Sequence, residues 1–162
     1  MSAAAKSEAR VPADEPVIEI SRVYDAPREL VWECFTDAKH LQHWWGPNGF
    51  SITNHSIDVR DGGRWDFVMH GPDGRDWDSI ITYTEVKKPE RLVYQHGEPG
   101  EPPLFVSTVT FAREGARRTR VTLHARFPSI ATRNDQIRDV HAAEGGKQTL
   151  DRLADYIATQ QG

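Results

Sequence analysis

The sequence predicts an α+β fold in which one antiparallel sheet is covered by helices that lie outside it in chain order. Strand-like alternation with turn signals fills most of the chain between residues 50 and 127. Short helical segments precede this region, and from Asn134 onward the apolar period changes from two to about 3.6. Strands grouped together, with helices segregated from them, are typical of α+β domains.

The first part of the chain predicts a tail followed by a strand. Residues 1–16 are small, charged and proline-containing, and we expect them to form a disordered tail. Residues 17–160 are expected to form a single domain. Its first strand covers 17–24, where apolar and polar residues alternate.

Two short helices are predicted after this strand. Pro27 suits the first position of a helix over 28–36, because its missing N–H would have no partner there. Asp37 is expected to cap a second helix over 38–45. The Gly-Pro pair at 46–47 then ends this helix.

The rest of the chain predicts a meander of strands and one covering helix. Further strands are expected at 50–59, 64–70, 76–86, 91–97, 104–112 and 118–127, giving a sheet of six to seven strands. The segment 97–103 is rich in Gly and Pro and is expected to be an irregular loop. One long helix from residue 134 then lies across the sheet.

One face of the predicted sheet is unusually aromatic, because alternate residues of a strand share a face. If the long helix covers this face imperfectly, the gap is a ligand cavity. The alternative is an interior packed to normal density. Gly145 and Gly146 favour the cavity, since two missing side chains leave room against the sheet. Close backbone packing, or a break between two shorter helices, would also explain the pair.

The predicted lining combines large apolar residues with a few polar groups. It consists of Trp45, Phe50, Trp65, Phe67, Met69, Trp77, Ile81, Tyr83, Tyr94, His96, Phe105, Val109, His141, Gly145 and Thr149. The segment 44–47 is expected to form part of a lid, because a short helix ended by Gly-Pro is easily displaced.

Composition excludes several classes of function. The net charge of −4 lacks the basic excess of nucleic-acid binders, so we expect no nucleic-acid partner. No run reaches the ~20 apolar residues of a membrane span, and the N-terminus lacks a secretory signal pattern, so a cytoplasmic protein without membrane contact is expected. The single cysteine, Cys34, excludes an internal disulfide and is expected to be a small buried residue.

A set of short motifs, in order and spacing, carries a family resemblance over residues 17–160. They are Arg22, Ala26-Pro27, Val31-Trp32, Leu41, Trp44-Trp45-Gly46-Pro47, Asp61-Gly62-Gly63, Gly71-Pro72-Asp73-Gly74, Glu85-Val86, Pro89-Glu90-Arg91-Leu92, Thr110-Phe111 and Leu150-Asp151-Arg152-Leu153. The chain resembles the bacterial SRPBCC group with the helix-grip (START-like) fold, specifically homologues of the heat-shock-protein ATPase activator.

The resemblance implies a curved antiparallel sheet that grips a long C-terminal helix, with a hydrophobic cavity between them. It implies a small hydrophobic ligand such as a lipid or polyketide, and a homodimer is a frequent assembly. The chain departs from the family where members often carry Gly-Trp and it has Gly145-Gly146. The missing Trp should enlarge or open the cavity.

The sequence does not favour an enzyme, since it has no nucleophile elbow, phosphate loop or dinucleotide fingerprint. His96, Tyr83 and His141 are weak catalytic candidates, because a cavity His or Tyr could act as general acid or base. Each could instead hydrogen-bond a neighbour or orient a ligand.

Other polar pairs are weaker still. His40 and His43 could meet one metal ion, but no third ligand is evident, so neither a metal nor a cofactor is expected. Asp76 and Asp78 could act as paired carboxylates, although an outward position is favoured. His124 is ambiguous, because its neighbours suggest that the opposite face of its strand is the inward one.

Three functions compete at this point. The first is a binding protein for a small apolar or aromatic molecule. The second is a cyclase or dehydratase that uses the cavity His and Tyr residues. The third is a co-chaperone-like interaction module, with Trp32 and the pair Trp44 and Trp45 as candidate surface. A chaperone partner is therefore left open.

Overall fold

The computed structural model describes residues 7–97 and 102–160. The elements of these residues, in chain order, are β1 (Glu8–Arg10), β2 (Val17–Tyr24), α1 (Arg28–Thr36), α2 (Ala38–Trp44), β3 (Ser51–Ile57), β4 (Arg64–His70), β5 (Asp76–Lys87), β6 (Arg91–His96), β7 (Val106–Arg113), β8 (Thr119–Arg126), α3 (Ile130–Val140) and α4 (Ala142–Gln160). This order confirms the predicted α+β class and the long C-terminal helix.

The strands form a single sheet with the order β1-β2-β8-β7-β6-β5-β4-β3. Every neighbouring pair is antiparallel. Helix α4 packs on β1 and β2 and also meets α1 and α2. The described sheet has eight strands, so the predicted number of six to seven is wrong.

The additional strand is β1, which lies in the segment expected to be disordered. Glu8–Arg10 pairs with β2, from Glu8 opposite Ser21 to Arg10 opposite Glu19. The Ser7 hydroxyl donates to the Lys147 carbonyl of α4 at 3.3 Å. The prediction of a disordered tail over 1–16 is therefore wrong for these residues, because three residues are too few to show alternation and the open edge of β2 supplies the pairing.

Two parts of the sequence predictions lie outside the described residues. These are the N-terminal end of the expected tail, residues 1–6, and the middle of the expected irregular loop, residues 98–101.

Helices α1 and α2 lie where the sequence predicts, except that α2 ends at Trp44, one residue before its predicted end. Pro27 stands as the N-cap of α1, one position before the expected one. The Asp37 carboxylate accepts from the Lys39 backbone N–H at 2.9 Å and caps α2. Gly46, with φ of 102°, follows the end of α2 in a backbone conformation that favours glycine.

The C-terminal helical region is divided at His141. Helix α3 begins earlier than predicted, at Ile130, where the Ser129 side chain accepts from the Thr132 N–H. It ends at Val140, and its C-cap His141 has φ of 54°, which places this residue in the left-handed region. The expected single helix from residue 134 is therefore wrong, since this turn separates α3 from α4 before Gly145 is reached.

Helix α4 is fixed to the sheet by apolar packing and by polar contacts with β2. Leu150, Leu153 and Ile157 form its buried stripe. The Tyr24 hydroxyl donates to the Leu150 carbonyl at 2.8 Å. Arg22, also on β2, forms an ion pair with Asp151. These contacts therefore attach α4 to β2 from the middle of the helix onward.

The Asp-Gly-Gly turn before β4 allows a close backbone approach. The N–H of Gly62 donates to the Tyr83 carbonyl, and the N–H of Tyr83 donates to the Gly63 carbonyl, each at 2.8 Å. A Cβ on Gly63 would lie 2.0 Å from the Asp58 carbonyl oxygen. Gly62 has open space around it but has φ of 81°. Gly63 is therefore needed because a side chain would clash with the backbone, and Gly62 because its backbone conformation favours glycine.

We predict that Gly63→Ala destabilises the protein by about 3 kcal/mol or more, because the obstructing atom belongs to the backbone and cannot rotate away. Gly62→Ala is the matched control, and it should cost about 1–2 kcal/mol through its left-handed conformation alone. Urea unfolding of both variants measures the difference. Equal losses would contradict the close approach at Gly63.

Candidate ligand pocket

A pocket of about 450 Å³ lies between the sheet and the first half of α4. Its sheet wall comes from one end of the strands: the last residues of β4, β6 and β8 and the first residues of β2, β5 and β7. Because neighbouring strands are antiparallel, these ends meet at the same edge of the sheet. The segment between α2 and β3, together with parts of α3 and α4, completes the wall.

The structure brings many of the predicted lining residues together in this pocket. They are Trp45, Phe50, Met69, Trp77, Tyr94, His96, Phe105, Gly145 and Thr149. Trp77 is 44% exposed, which places it at the mouth. Val140 of α3, which is 54% exposed, also contributes to the wall.

The other predicted lining residues lie elsewhere. Trp65, Phe67, Ile81, Tyr83 and Val109 are at most 3% exposed and belong to the hydrophobic core. Helix α1 closes this half of the sheet, where the rings of Trp32 and Phe35 each lie 5.2 Å from that of Phe111. Trp45, directly after α2, contacts Trp65 with ring centroids 5.0 Å apart, and Trp65 stacks on Phe67 at 3.9 Å. Alternation identified the correct face, but these residues occupy the other half of their strands.

His141 is also outside the pocket. It forms the left-handed turn between α3 and α4, and its side chain is exposed. The prediction that placed it on the inward stripe assumed a continuous helix. The break changes the direction of the chain and removes His141 from the sheet.

Several lining residues lie outside the predicted lining set, most of them small or aliphatic. They are Ile18, Ile20, Phe35, Trp44, Gly46, Pro47, Asp78, Ser79, Ser107, Leu123, Ala125, Phe127, Gln136, Val140, Ala142, Gly146 and Leu150. Of these, the sequence predictions connect only Gly146 and the residues of the lid segment 44–47 with the cavity. The inward alternation of β2 and β8 could have identified Ile18, Ile20 and Leu123. Gln136 and Val140 could not be found, because their helix was not separated from α4.

The glycine pair of α4 lies against the pocket wall. A Cβ on Gly146 would lie 2.2 Å from Cδ1 of Ile20, and one on Gly145 would lie 3.2 Å from Cγ of Pro47. Part of the space left by the missing side chains is thus occupied by these neighbours. Close packing, which was one alternative for this pair, therefore describes both positions.

The segment 44–47, expected to be part of a lid, is anchored at both ends. Trp44 is fully buried, and its indole N–H donates to the Cys34 carbonyl at 3.0 Å. The Arg152 guanidinium of α4 donates to the carbonyls of Gly46 and Pro47 at 2.8 and 2.9 Å. This part of the pocket wall is thus tied to the helix that covers the sheet.

His96 is the polar group at the centre of an aromatic stack. Its ring lies 4.0 Å from that of Phe105 and 5.4 Å from that of Tyr94, and Phe105 lies 4.9 Å from Phe127. Burial lowers the pKa of His96 to about 4, because the charged imidazolium would lose its hydration there. The imidazole is therefore neutral near pH 7.

The three weak catalytic candidates do not converge. His96 lines the pocket, whereas Tyr83 is 2% exposed in the core and His141 is exposed to solvent. Burial raises the pKa of Tyr83 above its ordinary range, so its hydroxyl stays protonated. The geometry therefore does not bring these three candidates to one position in the pocket.

The other polar candidates have structural partners. His40 is 2.5 Å from the Tyr156 hydroxyl, and His43 stacks on the same ring. Asp76 pairs with His70 at 2.7 Å, and His124 contacts Glu19 at 3.0 Å. Within residues 7–97 and 102–160, no three His, Cys, Asp or Glu side chains are grouped so as to hold a metal ion.

Buried aromatic residues remove most of the surface expected for a co-chaperone. Trp32 and Trp44 are 3% and 0% exposed, and Trp45 lines the pocket.

Cys34 is buried as predicted, and burial raises the pKa of its thiol to about 12. Among the described helices, none has both the length and the apolar character to span a membrane.

Comparison with known proteins identifies a family. The family model described as Activator of Hsp90 ATPase homolog 1-like protein matches residues 25–158. A search of curated proteins found no match.

Solved structures share the fold. Protein Ms6760 from Mycobacterium smegmatis is 22% identical with a TM-score of 0.83, covering 94% of this chain and 98% of its own. Protein NE0264 from Nitrosomonas europaea is 22% identical with a TM-score of 0.82, covering 93% and 99%. Protein CV1439 from Chromobacterium violaceum is 25% identical with a TM-score of 0.73, covering 86% and 95%.

We predict that Arg152→Met loosens the segment 44–47. The variant keeps an apolar stem but loses two charge-assisted hydrogen bonds, worth roughly 1.5–3 kcal/mol. Hydrogen exchange at the amides of Trp45 and Phe50 should accelerate by roughly tenfold or more. Arg138→Met is the control, because Arg138 pairs only with exposed carboxylates of α3 among the described residues. Unchanged exchange in Arg152→Met would contradict the anchoring role.

The lowered pKa of His96 predicts a loss of stability in acid. In the unfolded chain His96 takes up a proton near pH 6.5, whereas in the folded protein it does so only near pH 4. The contribution of the neutral His96 to stability is therefore present above about pH 6.5 and is lost as pH falls to about 4. Between about pH 7 and pH 4, the free energy of unfolding should therefore fall by up to about 3 kcal/mol less in His96→Phe than in the parent protein.

Urea unfolding at several pH values measures this difference. His55→Phe, at an exposed position of β3, is the matched control and should follow the parent protein. An identical pH dependence in His96→Phe and the parent protein would show that the His96 ring is hydrated in the folded state.

Proposed function

This chain belongs to the Activator of Hsp90 ATPase homolog 1-like family, and we propose that it binds a small hydrophobic or aromatic molecule between the sheet and α4. The observation that carries the proposal is the pocket of about 450 Å³ in a fold that commonly binds hydrophobic ligands. Ligand sites in proteins are concave, mostly apolar and about 300–1,000 Å³ in volume.

The chemistry of the wall supports this function. Aromatic and aliphatic side chains provide most of the lining, including Phe50, Met69 and Phe105. Such a surface gains free energy when a ligand displaces its water, at about 25 cal/mol per Å² of apolar area. The exposed Trp77 and Val140 at the mouth extend the apolar surface toward solvent, so a ligand longer than the pocket would also find contacts there.

The enzyme alternative has less support, because neither of the other two catalytic candidates, Tyr83 and His141, lines the pocket with His96. The chaperone alternative suggested by the family description also has less support, because Trp32 and Trp44 are buried. We therefore propose binding, and not catalysis, as the function of the pocket.

We predict that the neutral fluorescent probe N-phenyl-1-naphthylamine binds the purified protein and that Ala142→Trp weakens this binding at least tenfold. Ala142 lines the pocket at the start of α4, and a large side chain there would occupy the ligand volume. The probe gains fluorescence in an apolar site, so a titration measures its Kd.

Ala131→Trp is the matched control for this experiment. Ala131 lies on the adjacent helix α3, is exposed and does not line the pocket. This variant should bind the probe as the parent protein does. If both variants bind equally, or if the parent protein does not bind the probe, the proposal is wrong.

A further inference from the structure

We infer that the ligand is an uncharged ring compound with a hydroxyl or carbonyl oxygen that hydrogen-bonds to His96, and that the pocket rejects carboxylates such as free fatty acids. This inference rests on the proposed function and adds the class of ligand. It depends on three properties of the wall: its charge, its unpaired polar atoms and its aromatic surface.

The first property is the absence of positive charge. Among the described residues that line the pocket, none is Lys or Arg, and Asp78 is the only charged residue. Asp78 lies between Trp77 and Ser79 on β5, so its side chain projects toward the opposite face of the sheet. Two arginines lie near this wall without lining it. The Arg152 guanidinium is used by the Gly46 and Pro47 carbonyls, and the Arg75 guanidinium lies over the ring of the exposed Trp77, 5.1 Å from its centroid.

A carboxylate entering this pocket would therefore lose its hydration without gaining a cation. Burying an unpaired ion costs several kcal/mol even after relaxation. The same ligand framework with a neutral oxygen would not carry this cost. The wall thus selects against anions, although its apolar surface would suit the alkyl chain of a fatty acid.

The second property is a polar side chain, within the group of aromatic rings, that has no protein partner among the described residues. Neither ring nitrogen of His96 makes a hydrogen bond within the described part of the chain, although the ring lines the pocket. Two other polar groups of the wall are already engaged: the Thr149 hydroxyl donates to the Gly145 carbonyl, and the Ser79 hydroxyl donates to the Trp77 carbonyl.

A neutral imidazole offers one donor and one acceptor. A hydroxyl can use either nitrogen, and a carbonyl can accept from the N–H. His96 therefore supplies a point of polar recognition beside the aromatic rings, which favours one orientation of a ligand that carries such an oxygen.

The third property is the aromatic surface around this point. The rings of Tyr94, Phe105 and Phe127 form a group with His96, with neighbouring centroids 4.0–5.4 Å apart. Aromatic rings favour offset-stacked and edge-to-face contacts with other rings. A flat ligand ring with its oxygen beside His96 matches both the apolar and the polar parts of this wall.

The test compares three probes of one shape: 2-naphthol, 2-methylnaphthalene and 2-naphthoate, each measured by displacement of N-phenyl-1-naphthylamine. We expect 2-naphthoate to bind at least tenfold more weakly than 2-naphthol. In His96→Phe, the affinity of 2-naphthol relative to 2-methylnaphthalene should fall roughly twofold to tenfold, the factor for one hydrogen bond. The phenyl ring preserves the stacking surface.

A second pair of variants tests the charge argument. Gln136→Arg places a cation on the pocket wall, and it should increase 2-naphthoate affinity at least fivefold. Ala131→Arg adds the same charge to α3 at an exposed position away from the pocket, and it should have little effect. This comparison separates a local contact from a general effect of net charge.

The outcomes separate the two proposals. If N-phenyl-1-naphthylamine binds in the pocket but 2-naphthoate binds as tightly as 2-naphthol, the inference is wrong and the proposed function stands. An unchanged ratio of 2-naphthol to 2-methylnaphthalene in His96→Phe would likewise overturn the role of His96. If the parent protein binds none of the probes, both proposals are wrong.

Discussion

The contact between α4 and β2 fixes the position of the helix, and the shape of the interior follows from it. Tyr24 and Arg22 bind the helix around Leu150 and Asp151, while Gly146 lies directly against Ile20. The second half of α4 is therefore pressed onto the sheet by its buried leucine and isoleucine stripe. The first half lies over the strand ends where the pocket is found, and the glycine pair presents backbone there instead of side chains.

The interior consequently has two halves along the strands. At one end, α1 and α2 cover the sheet, and Trp65, Ile81 and Tyr83 pack into a dense core with a residual void of about 10 Å³. At the other end, the same strands continue without a comparable cover. Phe35, Trp45 and Tyr94 line both spaces and therefore form the partition between them.

This division explains how much of the site the sequence could predict. Alternation depends only on the pleat of each strand, so it correctly placed Trp65 and Met69 on the same inward face. Whether an inward residue meets a helix or the pocket depends on where α1, α2 and α4 pack along the strand. That is a tertiary property. It is the reason that Met69 and Phe105 line the pocket, whereas Trp65 and Val109 belong to the core.

The fold was more predictable than the site, because its signals are local. Asp37 carries its capping function in its own side chain, and the change of period marks the transition from sheet to helix. The left-handed turn at His141 has no such signal, since neither Gly nor Asn occupies the position. Its misassignment also explains why His141 was placed in the pocket and why the contribution of α3 was missed.

The balance of polar groups in the pocket links this architecture to selectivity. An apolar wall alone would accept many molecules of suitable size, because van der Waals contact and the hydrophobic effect are not directional. Most polar groups that could refine this choice are bonded within the protein, including the Arg152 guanidinium that ties 44–47 to α4. Holding the wall in place thus keeps the Arg152 guanidinium from ligand binding, and the neutral His96 remains as a polar group that can orient a ligand.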